Sequence, residues 1–202
     1  MVRIVLLVPW FMGVLYSSIP LFWLAVHPLA GRWRKMNKSP YRALLPLAAV
    51  IVLGLAWAAW PWHALRIYTK WWTWELALPF FAIGIRTYSR IFSGFGRKLT
   101  GEAEVRPGEH EQKLVVTGLH ARMRHPIYFA HLCNLAGCAI GSGLLEPVLF
   151  FAISCLLTFP LMIWLEEREL ERRFGQSYLD YKRAVPLVPS LFSSHTYKKA
   201  SA

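Results

Sequence analysis

The chain is short of cysteine, of paired histidine and of acid, and each shortage excludes a class of protein. Its three cysteines, Cys133, Cys138 and Cys155, form no CxxC pair and all lie inside apolar segments. Small buried hydrophobes are expected there, and neither a disulfide nor an oxidising compartment is implied. The seven histidines are mostly scattered. His120, His125 and His131 stand five and six residues apart, not at the i,i+4 spacing with which a helix presents two ligands to one metal. That spacing argues against a His-box desaturase or hydroxylase, and no metal is expected. Acidic residues number 11 against 23 Lys and Arg, for a net charge of +12. Such an excess of base raises the question of nucleic acid. The basic residues flank apolar runs, however, as the rule for membrane proteins requires, so nucleic acid is not an expected partner.

What the chain has in abundance is continuous hydrophobicity. Of its 202 residues 55% are hydrophobic and ten are tryptophan. The apolar residues come in long runs instead of helical or strand periods, which points to a bilayer and not to a water-soluble core. Residues 4–27 are long enough to span. Arg3 and the short region before them are reminiscent of a signal peptide, but the run is too long and no small-residue cleavage site follows, so a retained span is expected. Residues 43–62 predict a second span and residues 72–92 a third. Trp57, Trp60, Trp62, Trp71, Trp72 and Trp74 bracket the link between these two, as an interfacial aromatic belt does.

From Ser93 to Arg124 the chain turns polar, punctuated by Gly94, Gly96, Gly101, Pro107, Gly108 and Gly118, and reads as an aqueous segment. Apolar character returns at Ile127 and continues to Leu165, broken only by "GSGLLEP" (141–147). That pattern predicts a tight helical hairpin, 127–141 out and 147–165 back. Its first arm is short enough to tilt or thin a bilayer. A charged helix ending near Tyr181 and a proline-punctuated tail follow. The link 31–42 carries Arg32, Arg34, Lys35, Lys38 and Arg42, the link 63–71 only Arg66 and Lys70, and the hairpin turn no basic residue. Five spans with the amino terminus outside therefore place 31–42, 93–124 and 166–202 together in the cytoplasm.

Pro126 suits the first turn of a helix, where its missing N–H costs nothing. Arg124 and His125 then stand at the mouth of the fourth span, beside the positive end of its dipole, a place that favours an anion. Tyr128 lies one turn further in and His131 a turn after that. Glu166 and Glu167 end the returning arm, close enough to meet them. An amphipathic small molecule bearing a carboxylate and a cation fits between such groups. Each residue also has an ordinary explanation. Arg124 serves as a topological anchor, His125 as a cap and Tyr128 as part of the aromatic belt. His131 reads as a satisfied buried histidine, and Glu167 with Glu171 as a solvated helix face. Singly, they define no site.

Together they match a signature. "LVVTGLHARMRHPIY" (Leu114–Tyr128), followed by "EERELERRFGQSYLDYKRAVPLVP" (Glu166–Pro189), resembles the isoprenylcysteine carboxyl methyltransferase family and its bacterial relatives. The related phospholipid N-methyltransferases share the pattern. The resemblance covers about the last ninety residues and is specific in order and spacing; the first three spans match only as hydrophobic helices. It implies an all-α integral membrane protein with about five transmembrane helices, a C-terminal helical hairpin and a cytoplasmic cofactor pocket. Residues 1–92 would form a three-span membrane region and 93–202 the catalytic region. The implied cofactor is S-adenosyl-L-methionine, cradled by the backbone of Leu114, Val115, Val116, Thr117 and Gly118. Arg124, His125 and Tyr128 would border it, with His120 nearby, and Glu166 would close the far side together with Glu167. Tyr178, Tyr181, Pro186 and Pro189 would shape a lid. The chain departs from the family at Leu119, often Pro, at His120, usually aromatic, and at Ala130, often Gly. These changes bear on the acceptor side more than on the cofactor.

The implied reaction is methyl transfer to a lipophilic acceptor, with Arg124, His125 and Glu166 as the catalytic candidates. Transfer from a sulfonium is an in-line displacement, so alignment is the main task. A carboxylate acceptor is already ionised and needs no base, and Arg124 would hold it. A thiol or ammonium acceptor needs proton removal, for which His125 or Glu166 is placed. The acceptor's tail prefers hydrocarbon, so sideways entry from the bilayer is expected. A phospholipid N- or thiol S-methyltransferase of the same fold remains open. A nicotinamide-dependent sterol or enone reductase has a similar R-H-x-N-Y stretch, but Pro126 and the lack of Asn before Tyr128 count against it. A non-enzymatic membrane scaffold is the remaining alternative.

Overall fold

The computed structural model describes residues 2–33, 35, 41–95 and 114–189. Arg34, Lys38, the polar stretch 96–113 with its Gly96, Gly101, Pro107 and Gly108, and the tail beyond Pro189 lie outside the described residues. The elements are α1 (Val2–Val26), α2 (Ala30–Trp33), α3 (Tyr41–Ala59), α4 (Thr73–Phe95), α5 (Pro126–Ser142), α6 (Leu145–Ile153), α7 (Phe159–Phe174) and α8 (Gln176–Ala184). A wide π turn, Ser154–Thr158, joins α6 to α7 without a break. Among the described residues there is no strand, only an isolated bridge between Arg66 and Leu144.

Among the described residues, three stretches are long and apolar enough to cross a membrane: Leu6–Trp33, Arg42–Trp62 and Leu145–Phe174. The other two expected spans are helices of a different kind. α4 carries Glu75, Arg86 and Arg90. α5 has 17 residues, about 25 Å at 1.5 Å per residue, short of a hydrocarbon core of roughly 30 Å. Yet α5 is the most enclosed helix, packed against α4, α1 and α6, with Ala130, His131, Asn134, Leu135 and Cys138 buried. It needs no lipid-facing length because protein surrounds it. The approach of α4 is close: a Cβ on Gly84 would lie 2.5 Å from Asn134 Oδ1, so only a small residue fits at this crossing. Cys133 and Cys138 are buried as expected, whereas Cys155 is exposed on the π turn.

The charged helix expected after the hairpin is not separate. The returning arm runs straight on through "EERELERRF" to Phe174, since these are strong helix formers. It stops at Gly175, whose φ of 53° is a conformation other residues resist. α8 begins at once and folds back on α7.

The helices thereby define two ends. At one, the link after α3 closes the hairpin turn. Ile67 N–H donates to Gly143 O (2.8 Å), Leu145 N–H to Leu65 O (2.9 Å) and Arg66 Nη2 to Ser142 O (3.1 Å). Trp57 is 82% and Trp71 75% exposed here, which suits the belt. At the other end the closing residues of α1, α4 and α7 meet the start of α5. His27 Nδ1 lies 3.3 Å from Glu169 Oε2, and Tyr88 reaches His131.

Candidate functional site

At this second end, Pro126 opens α5 with His125 in the capping position; no side chain caps the helix. A helix start of this kind favours a negative group. A short 3₁₀ turn (Gly118–Ala121) and the extended Thr117 lead into it. Gly118 has a φ of 63°, and among the described residues nothing lies within 4 Å of the position of its absent Cβ.

Glu167 is the hub. Arg124 Nε donates to its Oε1 at 2.8 Å, His125 Nε2 to the same oxygen at 3.2 Å, and Lys182 Nζ lies 2.9 Å from Oε2. Lys182 also bonds Glu171 Oε1 at 2.7 Å, which holds its ammonium in the charged form above the ordinary lysine range, with Glu167 adding to the effect. Arg124 goes further. Its Nη1 donates to the carbonyls of Lys182 (3.0 Å) and Val185 (2.6 Å), and its own N–H donates to Pro186 O (2.9 Å). One guanidinium thus ties the mouth of α5 to α7, to the end of α8 and to the tail.

Glu166 forms the second half of the cluster. Tyr128 Oη donates to its Oε2 at 2.6 Å, and His125 Nδ1 lies 3.4 Å from the same atom. The His125 and Tyr128 rings stack, 5.2 Å apart and 8° from parallel. Burial alone would push the His125 imidazole down. The two carboxylates outweigh it and raise it to about 9, so it is a cation at neutral pH. His120 shows the opposite balance: burial, with the charge of His125, lowers it to about 4. One histidine is charged and its neighbour neutral, separated by which of them meets the acids.

The raised His125 has a testable consequence for stability. Between an unfolded value of 6.5 and a folded value of about 9, its contribution is of order 3 kcal/mol. That contribution is complete below pH 6.5 and is lost as pH rises through about 9. Melting curves of detergent-solubilised wild type should therefore fall across this window relative to His125→Gln. Parallel curves for the two proteins would show that the imidazolium stabilises nothing.

Beneath the charges, Val116, Tyr178, Tyr181 and Val185 form a buried apolar cluster with Leu114, Leu170 and Phe174 against it. Tyr181 Oη donates to His120 O at 2.7 Å. The structure therefore brings Leu114, Val116, His120, Arg124, His125, Tyr128, Glu166, Glu167, Tyr178, Tyr181 and Pro186 into one assembly. Val115, Thr117 and Gly118 border it from exposed positions, and Pro189 stands at the last described residue. His131 belongs to a satisfied buried group instead, with Ile127 O 2.7 Å from its Nδ1 and the rings of Tyr16, Tyr88 and Phe159 around it. Of the two sequence readings of Glu167, the solvated face shared with Glu171 is overturned by its burial, and Lys182 was missed. Glu167 is buried because α8 folds over it, and only the break at Gly175 hints at that.

Fold and site define a helical membrane protein with a charged, tyrosine-lined cluster at the mouth of its hairpin. The chain belongs to the phospholipid methyltransferase family, whose model matches residues 72–177. It is 30% identical over 118 residues to protein-S-isoprenylcysteine O-methyltransferase B of Arabidopsis thaliana, covering 57% of this chain and 58% of that protein. It is 27% identical over 163 residues to protein-S-isoprenylcysteine O-methyltransferase of Dictyostelium discoideum, covering 79% of this chain and 65% of that one. In both cases the alignment spans less than two thirds of the relative's length. No solved structure matches the chain significantly. These findings agree with the resemblance carried by the Leu114–Tyr128 and Glu166–Pro189 segments.

Proposed function

We propose that the chain is an integral membrane methyltransferase that uses S-adenosyl-L-methionine and acts on a lipophilic acceptor, an isoprenylcysteine carboxylate being the best-supported class. In this reading five helices cross the bilayer with the amino terminus outside, the cluster faces the cytoplasm, residues 1–92 scaffold the fold and 93–202 carry the chemistry. The observation that carries the reading is the Arg124–His125–Tyr128–Glu166–Glu167 cluster, inside or bordered by segments that the family match covers.

The residues fit such a cofactor. It carries a carboxylate, an ammonium and a sulfonium, and the site offers the positive end of α5, a cationic His125, two carboxylates and, among the described residues, room beside the Gly118 backbone. When bound, the sulfonium supplies the electrophilic methyl. The remaining work is the protein's. Glu166 attracts positive charge and is oriented by Tyr128. Arg124, whose Nε and Nη1 are engaged by Glu167 and by two carbonyls, acts chiefly by holding α8 and the tail over the site; the carboxylate-holding role suggested by sequence passes to His125 and the positive end of α5. A carboxylate acceptor needs no proton removed. A thiol or ammonium acceptor would need Glu166 as base, since His125 is already protonated at neutral pH.

Calorimetric titration of the purified protein in detergent tests this reading, with S-adenosylhomocysteine as ligand and NADPH as control. Saturable binding of S-adenosylhomocysteine alone is expected. Binding of NADPH alone would transfer the chain to the reductases, and binding of neither by folded protein would favour a scaffold.

A further inference from the structure

The outer side of α7 carries a second feature that the proposed reaction does not use. A cavity of about 430 Å³ lies between α7 and the end of α1, lined by His27, Gly31, Trp164, Arg168, Arg172 and Arg173. Glu169 also lines it, and is already held by His27 Nδ1 (3.3 Å) and Arg173 Nη1 (3.9 Å). Among the described residues that line it, three are arginines and one a carboxylate. Among the described residues neither Arg168 nor Arg172 belongs to an ion pair, and both are exposed. The Arg168 guanidinium lies over the Trp164 ring, 4.1 Å from its centroid, which fixes its plane.

Successive residues of a helix are about 100° apart. Leu161, Arg168 and Arg172 thus share the face opposite Glu166, Glu167 and Leu170, and the cavity adjoins the His125 cluster only through His27, which lines it and lies near enough to act on the charge of Glu166. Towards the bilayer the same side of the helix continues as Trp164, Leu161 and Leu157, which are 48%, 43% and 61% exposed. An apolar stripe ends in a ring-stacked arginine and a second arginine one turn on.

We propose that this cavity binds the phosphate headgroup of an anionic membrane phospholipid, with an acyl chain lying along Leu157, Leu161 and Trp164. Guanidinium groups pair with phosphate oxygens in a bidentate way, and the stripe gives hydrocarbon its place. A free phosphate would engage the arginines but leave the stripe uncovered. The two arginines that hold its phosphate are on the face turned away from Glu166, which sets this lipid apart from a methyl acceptor.

The test is thermal melting of delipidated, detergent-solubilised protein titrated with phosphatidylglycerol, phosphatidylcholine or inorganic phosphate. It is run on wild type, on Arg168→Gln/Arg172→Gln and on Arg168→Lys/Arg172→Lys. Phosphatidylglycerol should stabilise wild type saturably, inorganic phosphate should not, and phosphatidylcholine should bind more weakly. At about 1 kcal/mol per basic residue near an anionic headgroup, the glutamine pair should weaken phosphatidylglycerol binding about thirtyfold, and the lysine pair should restore part of it. S-adenosylhomocysteine binding serves as an independent readout and should be unchanged in both pairs. If the double variant does not fold, Arg168→Gln alone is expected to give about a fivefold loss. Equal phosphatidylglycerol binding by wild type and the glutamine variants would overturn the site. Stabilisation by inorganic phosphate or phosphatidylcholine equal to that by phosphatidylglycerol would overturn the anionic lipid as its occupant.

Discussion

Glu167→Ala should destabilise the detergent-solubilised protein by about 3–5 kcal/mol and open α8 to proteolysis after Gly175. The magnitude comes from what the substitution leaves behind. The Glu167 side chain is only 10% exposed, and it is shared by Arg124, His125 and Lys182. Removing it buries cationic groups without their counter-charge, which costs more than the loss of any one bond. Arg124 also holds the carbonyls of Lys182 and Val185, so its release loosens α8 and the tail together. S-adenosylhomocysteine affinity should fall with the stability, because the lid and the site share this carboxylate. Glu167→Gln should recover part of the loss, keeping an acceptor for Arg124 while losing the charge. Melting and proteolysis indistinguishable from wild type would show that Glu167 is not the hub.

Glu166→Gln should lose ligand binding while keeping its fold, giving up only the part of the His125 stabilisation that the Glu166 charge supplies. The amide oxygen can still accept from Tyr128 Oη, now at 2.6 Å, and His125 retains Glu167 as its partner. What disappears is one negative charge at the side of the cluster proposed to face a cationic ligand. A charge-assisted hydrogen bond contributes roughly 1.5–3 kcal/mol, so S-adenosylhomocysteine should bind about ten- to a hundredfold more weakly. Methyl transfer should fall at least as far. Calorimetry and melting on the same preparation separate the outcomes. Wild-type affinity would remove Glu166 from the site, and collapse of the fold would make it a structural residue.

The contrast between these neighbours marks where sequence reasoning reached and where it stopped. The start of α5 was legible because Pro126 and an apolar run announce a helix, and Pro126 is where it begins. The hairpin turn was legible from Gly141–Pro147. Meeting of the helix mouth with Glu166 was legible because a tight hairpin returns its second arm beside its first. The role of Glu167 was not, since two adjacent acids on a charged segment look alike until a third element covers one of them. That element is α8, and its reversal depends on the backbone of one residue, Gly175. The number of spans was only partly legible: hydropathy identifies a helix that faces lipid, whereas α5 faces protein. Arg124 was recognised as important, but its partners, the Glu167 carboxylate and two backbone carbonyls, are more than forty residues away, which no local pattern announces.

The π turn at Ser154–Thr158 sets the phase of everything after it. A wide turn accommodates one residue more than an α-helical turn does, and one residue is worth about 100° of rotation. Were α6 and α7 a plain α-helix, the charged half would be wound out of step with the apolar half. Glu167 would swing away from Arg124 and His125, and Leu170 away from Tyr178 and Val116. The turn acts as a gear offset, letting a segment placed by its hydrocarbon contacts deliver its carboxylates at the angle the far end requires.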